Sequence, residues 1–191
     1  MIHNLAAGVR GFTSNTFLVT GERTVLVDAG NDFDVVGKIR EHADGLDSLV
    51  LTHTHSDHVG NLADVVEAFG VEVWGYDTDQ EGVTQALDTE ETVQLGDDSY
   101  EVIHTPGHKN DHVCLYAPSS GVLFAGDLVF ANGGFGRTDL AEGDRDLLVD
   151  SIGRLLDRVD HLEEMHTGHG PSVDRDPRTD IELALQAAQM R

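Results

Sequence analysis

The chain has 191 residues, of which 35 are acidic and 12 basic, for a formal net charge of −23, and it carries a single cysteine. That length suits one domain, expected to span residues 1–191, able to bury about 70% of the surface its unfolded form exposes without disulfide staples. The lone cysteine excludes an internal disulfide, the sparse Lys and Arg argue against a nucleic-acid substrate, and no apolar run is long enough to span a bilayer.

In chain order, Thr16-Phe-Leu-Val19 and Thr24-Val-Leu-Val27 read as two strands joined at Gly21-Glu22, so a hairpin is expected early in the chain. Phe33, Val36, Ile39 and Arg40 fit a helix, Ser48 to Leu51 a buried strand, and Leu62, Val65, Val66 and Phe69 a second helix stopped by Gly70. Val71 to Trp74, Thr92 to Leu95, Tyr100 to His104, Val113 to Tyr116 and Val122 to Ala125 carry strand character, separated by turn signals such as Pro106-Gly107. Leu148, Ile152, Leu155 and Val159 mark a helix, and Ile181, Leu185 and Ala188 a last one. The expectation is two mixed halves of strands and helices in one α/β (α+β) domain.

The most informative segment is Thr52-His-Thr-His-Ser-Asp-His-Val-Gly60, in which His53, His55, Asp57 and His58 crowd into six positions. Residues two apart in an extended segment face the same way, so His53 and His55 can grip one cation while Asp57 and His58, further round the turn, face a second. It follows an apolar run, and strand ends are where sites collect. Two ions need further ligands, and His108 in Thr-Pro-Gly-His, Asp127 in Gly-Asp and His169 in Gly-His-Gly supply candidates. Singly, each of these reads as a polar loop residue; their weight lies in the set.

This order of motifs resembles the metallo-β-lactamase-fold superfamily from about Asp28 to Pro171. The resemblance implies a four-layer αββα sandwich with the site at one edge of its two sheets. It assigns His53, His55 and His108 to one metal, Asp57, His58 and His169 to a second, and Asp127 to a bridging position, with Asp28 steadying the ligands from behind. Imidazole and carboxylate donors suit two divalent ions, zinc first with iron or manganese as the other candidates. Three carboxylates nearly balance two such ions, so a bridging water would ionise near neutral pH and serve as the nucleophile, with Asp57 and Asp127 as the catalytic carboxylates. No Ser or Cys nucleophile is required, and Cys114 reads as a small buried strand residue.

Within the superfamily, the segments around His108 and from Phe130 to Gly143 are similar to the glyoxalase II-like group and its persulfide dioxygenase relatives. The similarity implies a hydrolase acting on a small thioester through a metal-bound hydroxide. A mononuclear iron persulfide dioxygenase, held by His53, His108 and Asp127, is the alternative. Gly-Arg-Thr-Asp at Gly136 to Asp139 stands where glutathione thioesterases of the group carry Lys and Tyr, so Arg137 either clamps a substrate carboxylate or pairs with Asp139. Phe130 to Gly136 is a substrate cover or a connector. Of the other histidines, His112 is a candidate to line the pocket, and His166 sits near His169 on what is expected to be an approach loop.

The charge carries a reading of its own. The acid excess runs along the whole chain, and Lys38 and Lys109 are its only lysines, a composition that favours solubility in concentrated salt and suggests a halophilic protein. Met1 to Gly8 lacks the basic start and apolar core of a signal peptide, so a cytoplasmic protein is expected, with a small-molecule substrate and neither nucleic acid nor membrane as partner. The oligomeric state is not readable from composition.

Overall fold

A computed structural model describes residues 1–89 and 91–190. Six strands form the first sheet in sequence order: β1 (Ile2–Asn4), β2 (Phe17–Val19), β3 (Val25–Val27), β4 (Ser48–Val50), β5 (Glu72–Gly75) and β6 (Gln85–Ala86). β1, β2 and β3 pair antiparallel, and β3 to β6 pair parallel. The second sheet takes the order β13-β10-β9-β8-β7, built from β7 (Thr92–Leu95), β8 (Asp98–His104), β9 (Val113–Ala117), β10 (Val122–Gly126) and β13 (Glu164–Thr167). A small hairpin, β11 (Val129–Phe130) with β12 (Gly134–Phe135), lies between β10 and helix α4 (Arg145–Arg158) in the chain.

Alternation along the strands explains the layers. In β2 to β5, Leu18, Leu26, Leu49 and Val73 turn to one face and pack with Val35 and Ile39 of α1 (Val35–Arg40) and Val65 of α3 (Leu62–Phe69). Phe17, Val19, Val25, Val27 and Val50 turn to the other face and meet Tyr100, Val102, Val113, Leu115 and Phe124 of the second sheet. The outer face of that sheet, including Cys114, Leu123 and Met165, is covered by Leu148, Ile152 and Leu155 of α4 and Ile181 and Ala184 of α5 (Pro177–Gln189). The result is the four-layer αββα sandwich that the sequence resemblance implies. Each fully buried aliphatic contributes about 1.5–3 kcal/mol relative to exposure, so the three apolar layers, rather than helix propensity, hold the short helices in place.

The predicted strands and helices all occur, with ends shifted by a few residues at most in most cases. α1 buries Val35 and Ile39 fully, with Val36 partly buried against the same cluster, and Val66 of α3, expected on the apolar face, is exposed. α3 stops at Gly70, whose φ of 65° is a left-handed cap that glycine adopts without penalty. β1, β6, β11, β12 and β13 lie where no strand is expected, as does the single helical turn α2 (Ser56–Val59).

Strand direction positions the site. β8 runs antiparallel to β9 and β9 antiparallel to β10, so β8, β10 and β13 share one direction. Asp28 follows β3, His53 follows β4, and His108, Asp127 and His169 follow β8, β10 and β13. Every one of these segments leaves the carboxyl end of its strand, and hydrogen bonds such as Val113 N–H to Thr52 O at 2.8 Å join the two sheets there.

Candidate metal centre

Leaving β4, the chain stays extended through His55 and then enters α2, so His53 and His55 present their rings to one side before the helical turn lifts Asp57 and His58. His53 Nε2 lies 3.1 Å from His55 Nδ1, which in turn lies 2.9 Å from His108 Nε2. On the other side His169 Nε2 is 3.0 Å from Asp57 Oδ2. Asp127 stands between the groups: its Oδ2 is 3.5 Å from His108 Nε2 and 3.4 Å from His169 Nε2, and its Oδ1 is 3.4 Å from His58 Nε2. Three trios have ligand atoms within 4.8 Å of one another: His53, His55 and His108; His53, His58 and Asp127; and Asp57, His58 and His169.

The set fits metal ions. Tetrahedral ligands at zinc–nitrogen distances of about 2.0–2.1 Å stand about 3.3 Å apart, close to the separations in these trios. His58 Nε2 and Asp127 Oδ1 are both buried without a hydrogen-bond partner, a costly arrangement unless a cation satisfies them. Close approach is enforced at Gly168, where a Cβ would collide with Asp127 Oδ1 and press on the His58 ring.

The ring nitrogens facing away from the centre are anchored. His58 Nδ1 meets Asp28 Oδ2 at 2.8 Å, and Asp28 also accepts the Thr52 amide at Oδ1 and its hydroxyl at Oδ2, both at 2.8 Å. His108 Nδ1 faces the Arg137 carbonyl at 2.8 Å, and His53 Nδ1 lies 3.2 Å from Thr52 Oγ1. Such anchoring fixes the tautomer that leaves the other nitrogen's lone pair pointing inward.

Electrostatics agree. Hydrogen bonds from the His169 ring to the Asp127 and Asp57 carboxylates hold its pKa up at about 9, against the opposing effect of burial. Burial alone would raise Asp127, but His58 and His169 hold it well below the usual carboxylate range. A site whose carboxylates favour an imidazolium also favours a divalent cation. Burial pushes the Cys114 thiol up to about 12, so it offers no nucleophile.

Two further buried groups brace the ligands. His112 accepts the Asp127 amide at Nε2, 2.9 Å away, which leaves Nδ1–H facing Thr105 Oγ1 at 2.8 Å. His112 therefore lies behind Asp127 and does not line the pocket. Lys109, almost fully buried, sits 3.2 Å from Asp111 and 3.4 Å from Glu142, while Asp111 accepts the hydroxyl of Thr54, between His53 and His55, at 2.6 Å. The Lys109 brace is invisible in the sequence, where Lys-Asn-Asp-His looks like an ordinary turn. His166 belongs to β13, packed between Phe17 and Phe124 rather than on an approach loop.

A cavity of about 390 Å³ opens onto the centre, walled by Phe12, Phe130, Phe135 and Leu140 and by Arg137. Phe130 and Phe135 come from the β11–β12 hairpin, which packs on α5, so the segment is both wall and connector. Arg137 donates to both oxygens of Asp139 at 2.7 Å. Phe12, 65% exposed at the mouth, gives no sequence signal that would have marked it.

The metallo-beta-lactamase superfamily model matches residues 9–167. Hydroxyacylglutathione hydrolase GloC of Haemophilus influenzae is 28% identical over 187 residues, 85% of this chain and 88% of that protein. The hydroxyacylglutathione hydrolase of an Enterobacter strain is 35% identical over 136 residues, 70% of this chain but only 52% of its own length. The chain thus spans about half of that longer relative. Among solved structures, TTHA1623 in a di-iron-bound form superposes with a TM-score of 0.74 at 30% identity, covering 94% of each chain.

Proposed function

Because the chain belongs to the metallo-beta-lactamase superfamily, we propose that it is a metal-dependent hydrolase that cleaves a small thioester and works as one domain over residues 1–191. The observation that carries this reading is the convergence of His58, His108 and His169 on the two oxygens of Asp127, each within 3.5 Å, which suits a carboxylate shared by two ions. In this reading His53, His55 and His108 hold one ion, Asp57, His58 and His169 the other, and zinc is the first candidate with iron or manganese behind it. The GloC relative, matched over most of its length, supports the thioester as the bond attacked.

When bound, the ions supply a water acidic enough to ionise near neutral pH and a Lewis acid for the thioester carbonyl. The protein does the rest. Asp127 fixes the spacing of the two ligand groups, and Asp28 holds His58 in orientation. The carbon–oxygen bond forms as the carbon–sulfur bond breaks, and Asp57, exposed to the cavity beside His169, passes the water's proton to the departing sulfur. The products are a carboxylic acid and a thiol. The aromatic walls exclude bulk water, and Arg137 at the mouth contacts the substrate. A cytoplasmic, salt-rich setting belongs to the same reading, given the charge of −23.

Protein expressed with zinc, iron and manganese all supplied is expected to hold two ions per chain and to release thiol from an acyl thioester in step with acid. One iron per chain, oxygen uptake with a persulfide and no thioester cleavage would replace this reading with the iron dioxygenase.

A further inference from the structure

Arg137 is the one lysine or arginine among the described residues that line the cavity over the metal centre. Its Nε and Nη2 each donate to a different oxygen of Asp139 at 2.7 Å, a two-pronged fit that leaves the pair with no net charge. Lys109, the nearest other cation in sequence to His108, is buried against Asp111 and Glu142 and faces away from solvent. Apart from Arg137, Ser56 and the residues of the metal centre at its floor, the lining is apolar: Phe12, Phe130, Phe135 and Leu140, with Phe12 65% and Leu140 41% exposed.

Resting on the thioesterase reading, we propose that this pocket selects thioesters of uncharged, apolar-bodied thiols and discriminates against carriers with free carboxylates. A carboxylate accepting from the free Nη edge of Arg137 would come to lie beside the Asp139 carboxylate, and no other Lys or Arg among the described residues lining the cavity stands ready to compensate the second anion. A neutral amide or carbonyl meets no such barrier, because the guanidinium keeps Nη1 and one Nη2 hydrogen free for donation while Asp139 stays in place. The aromatic walls reward the apolar body of the carrier by burial, as ligand pockets do. The chain's charge of −23 acts in the same direction by slowing the approach of anions, an effect that salt screens within about 8 Å at physiological strength, so the local pair at Arg137 sets the preference.

The test presents one acyl group on three thiols to the metal-loaded enzyme: N-acetylcysteamine, which is uncharged; glutathione, which carries two carboxylates; and glutathione diethyl ester, which keeps the size and removes both. Expected is a kcat/KM about tenfold or more higher for the N-acetylcysteamine thioester and the diester than for glutathione, the scale of one unfavourable charge contact. Asp139→Asn, which releases the Arg137 cation, is expected to recover about tenfold on the glutathione thioester with a far smaller change on the neutral carrier, mainly through KM. Preference for glutathione over its diester, or an equal loss on all three thioesters in Asp139→Asn, overturns the selectivity while leaving thioester hydrolysis intact. Absence of hydrolysis with every carrier overturns the thioesterase reading and the selectivity with it.

Discussion

Asp28 holds His58 from behind: its Oδ2 lies 2.8 Å from His58 Nδ1, in a pocket where the carboxylate is almost fully buried. Asp28 adopts a φ of 59°, uncommon for a residue other than glycine, and the same carboxylate accepts the amide and hydroxyl of Thr52. The strand end after β3 is therefore shaped to present a carboxylate to a ring of the metal-facing loop after β4. The local backbone strain is offset by three polar contacts of the Asp28 carboxylate.

Asp28→Asn keeps the size but removes the charge that stabilises and orients the His58 ring. Metal affinity is expected to fall about 10–100-fold, the usual consequence of losing a carboxylate behind a ligating histidine. Titration of the apoprotein with zinc against a competing chelator measures it. An unchanged affinity would mean that packing alone orients His58.

His55 and His169 stand on opposite sides of Asp127, in separate ligand groups. His55→Ala and His169→Ala are each expected to lower the metal content by about one ion per chain, and the double variant to lower it further. Elemental analysis reads the content directly, without reference to activity. Binding to the folded state alone also stabilises it, by about 2.7 kcal/mol for each site at a hundredfold excess over Kd, so chelator should lower the midpoint of thermal unfolding in the parent chain more than in either variant. Full metal content in both single variants would refute the assignment.

Lys109 is a different kind of element. Its ammonium bridges Asp111 and Glu142, and Asp111 ties onward to Thr54 between two ligands, so one buried cation joins the metal loop to the 137–143 segment. Lys109→Met strands the buried Asp111 carboxylate, and a loss of about 3–5 kcal/mol in urea unfolding is expected. The double variant Lys109→Met/Asp111→Leu removes both charges and should recover much of that loss. If Lys109→Met alone costs under about 1 kcal/mol, Asp111 is finding solvent and the brace is not a buried pair in solution.

The candidate metal ligands were legible because their chemistry is encoded locally: three histidines and an aspartate at fixed spacing on one loop announce themselves without any tertiary information, and the later residues His108, Asp127 and His169 stand beside glycines that mark turns. The layers were legible because buried strands such as Val113–Ala117 are continuous apolar runs. What the sequence hid is of two kinds. β1, β6 and β13 are two to four residues long, and Glu164–Thr167 mixes Glu, Met, His and Thr, so pairing with β10 rather than propensity makes it a strand. The second kind is proximity between distant positions: the Arg137 carbonyl against His108, Lys109 between Asp111 and Glu142, and Phe12 and Phe130 lining one cavity exist only once the strands have brought their ends to one edge.

His166 illustrates the same point and carries a pH dependence. Its ring is buried between Phe17 and Phe124, with Nδ1 2.9 Å from the Ser172 hydroxyl, and among the described residues the ionisable group against it is Glu164, whose Oε1 lies 3.5 Å from Nε2. Burial lowers its pKa from the ordinary 6.5 to about 4. The unfolded chain therefore takes up a proton near pH 6.5 that the folded chain accepts only near pH 4, so stability from this residue is complete above pH 6.5 and drains away as pH falls between those values. The full span corresponds to a loss on the order of 3 kcal/mol. His166→Phe, which keeps an aromatic ring between Phe17 and Phe124 and removes the titrating group, should flatten this part of the profile. The comparison is made by urea unfolding of the two metal-free proteins across pH 7 to 4, so that protonation of the metal ligands is common to both and cancels in the difference. Parallel profiles for parent and variant would mean that His166 is protonated in the folded state, with Glu164 supplying the charge that its buried ring would otherwise lack.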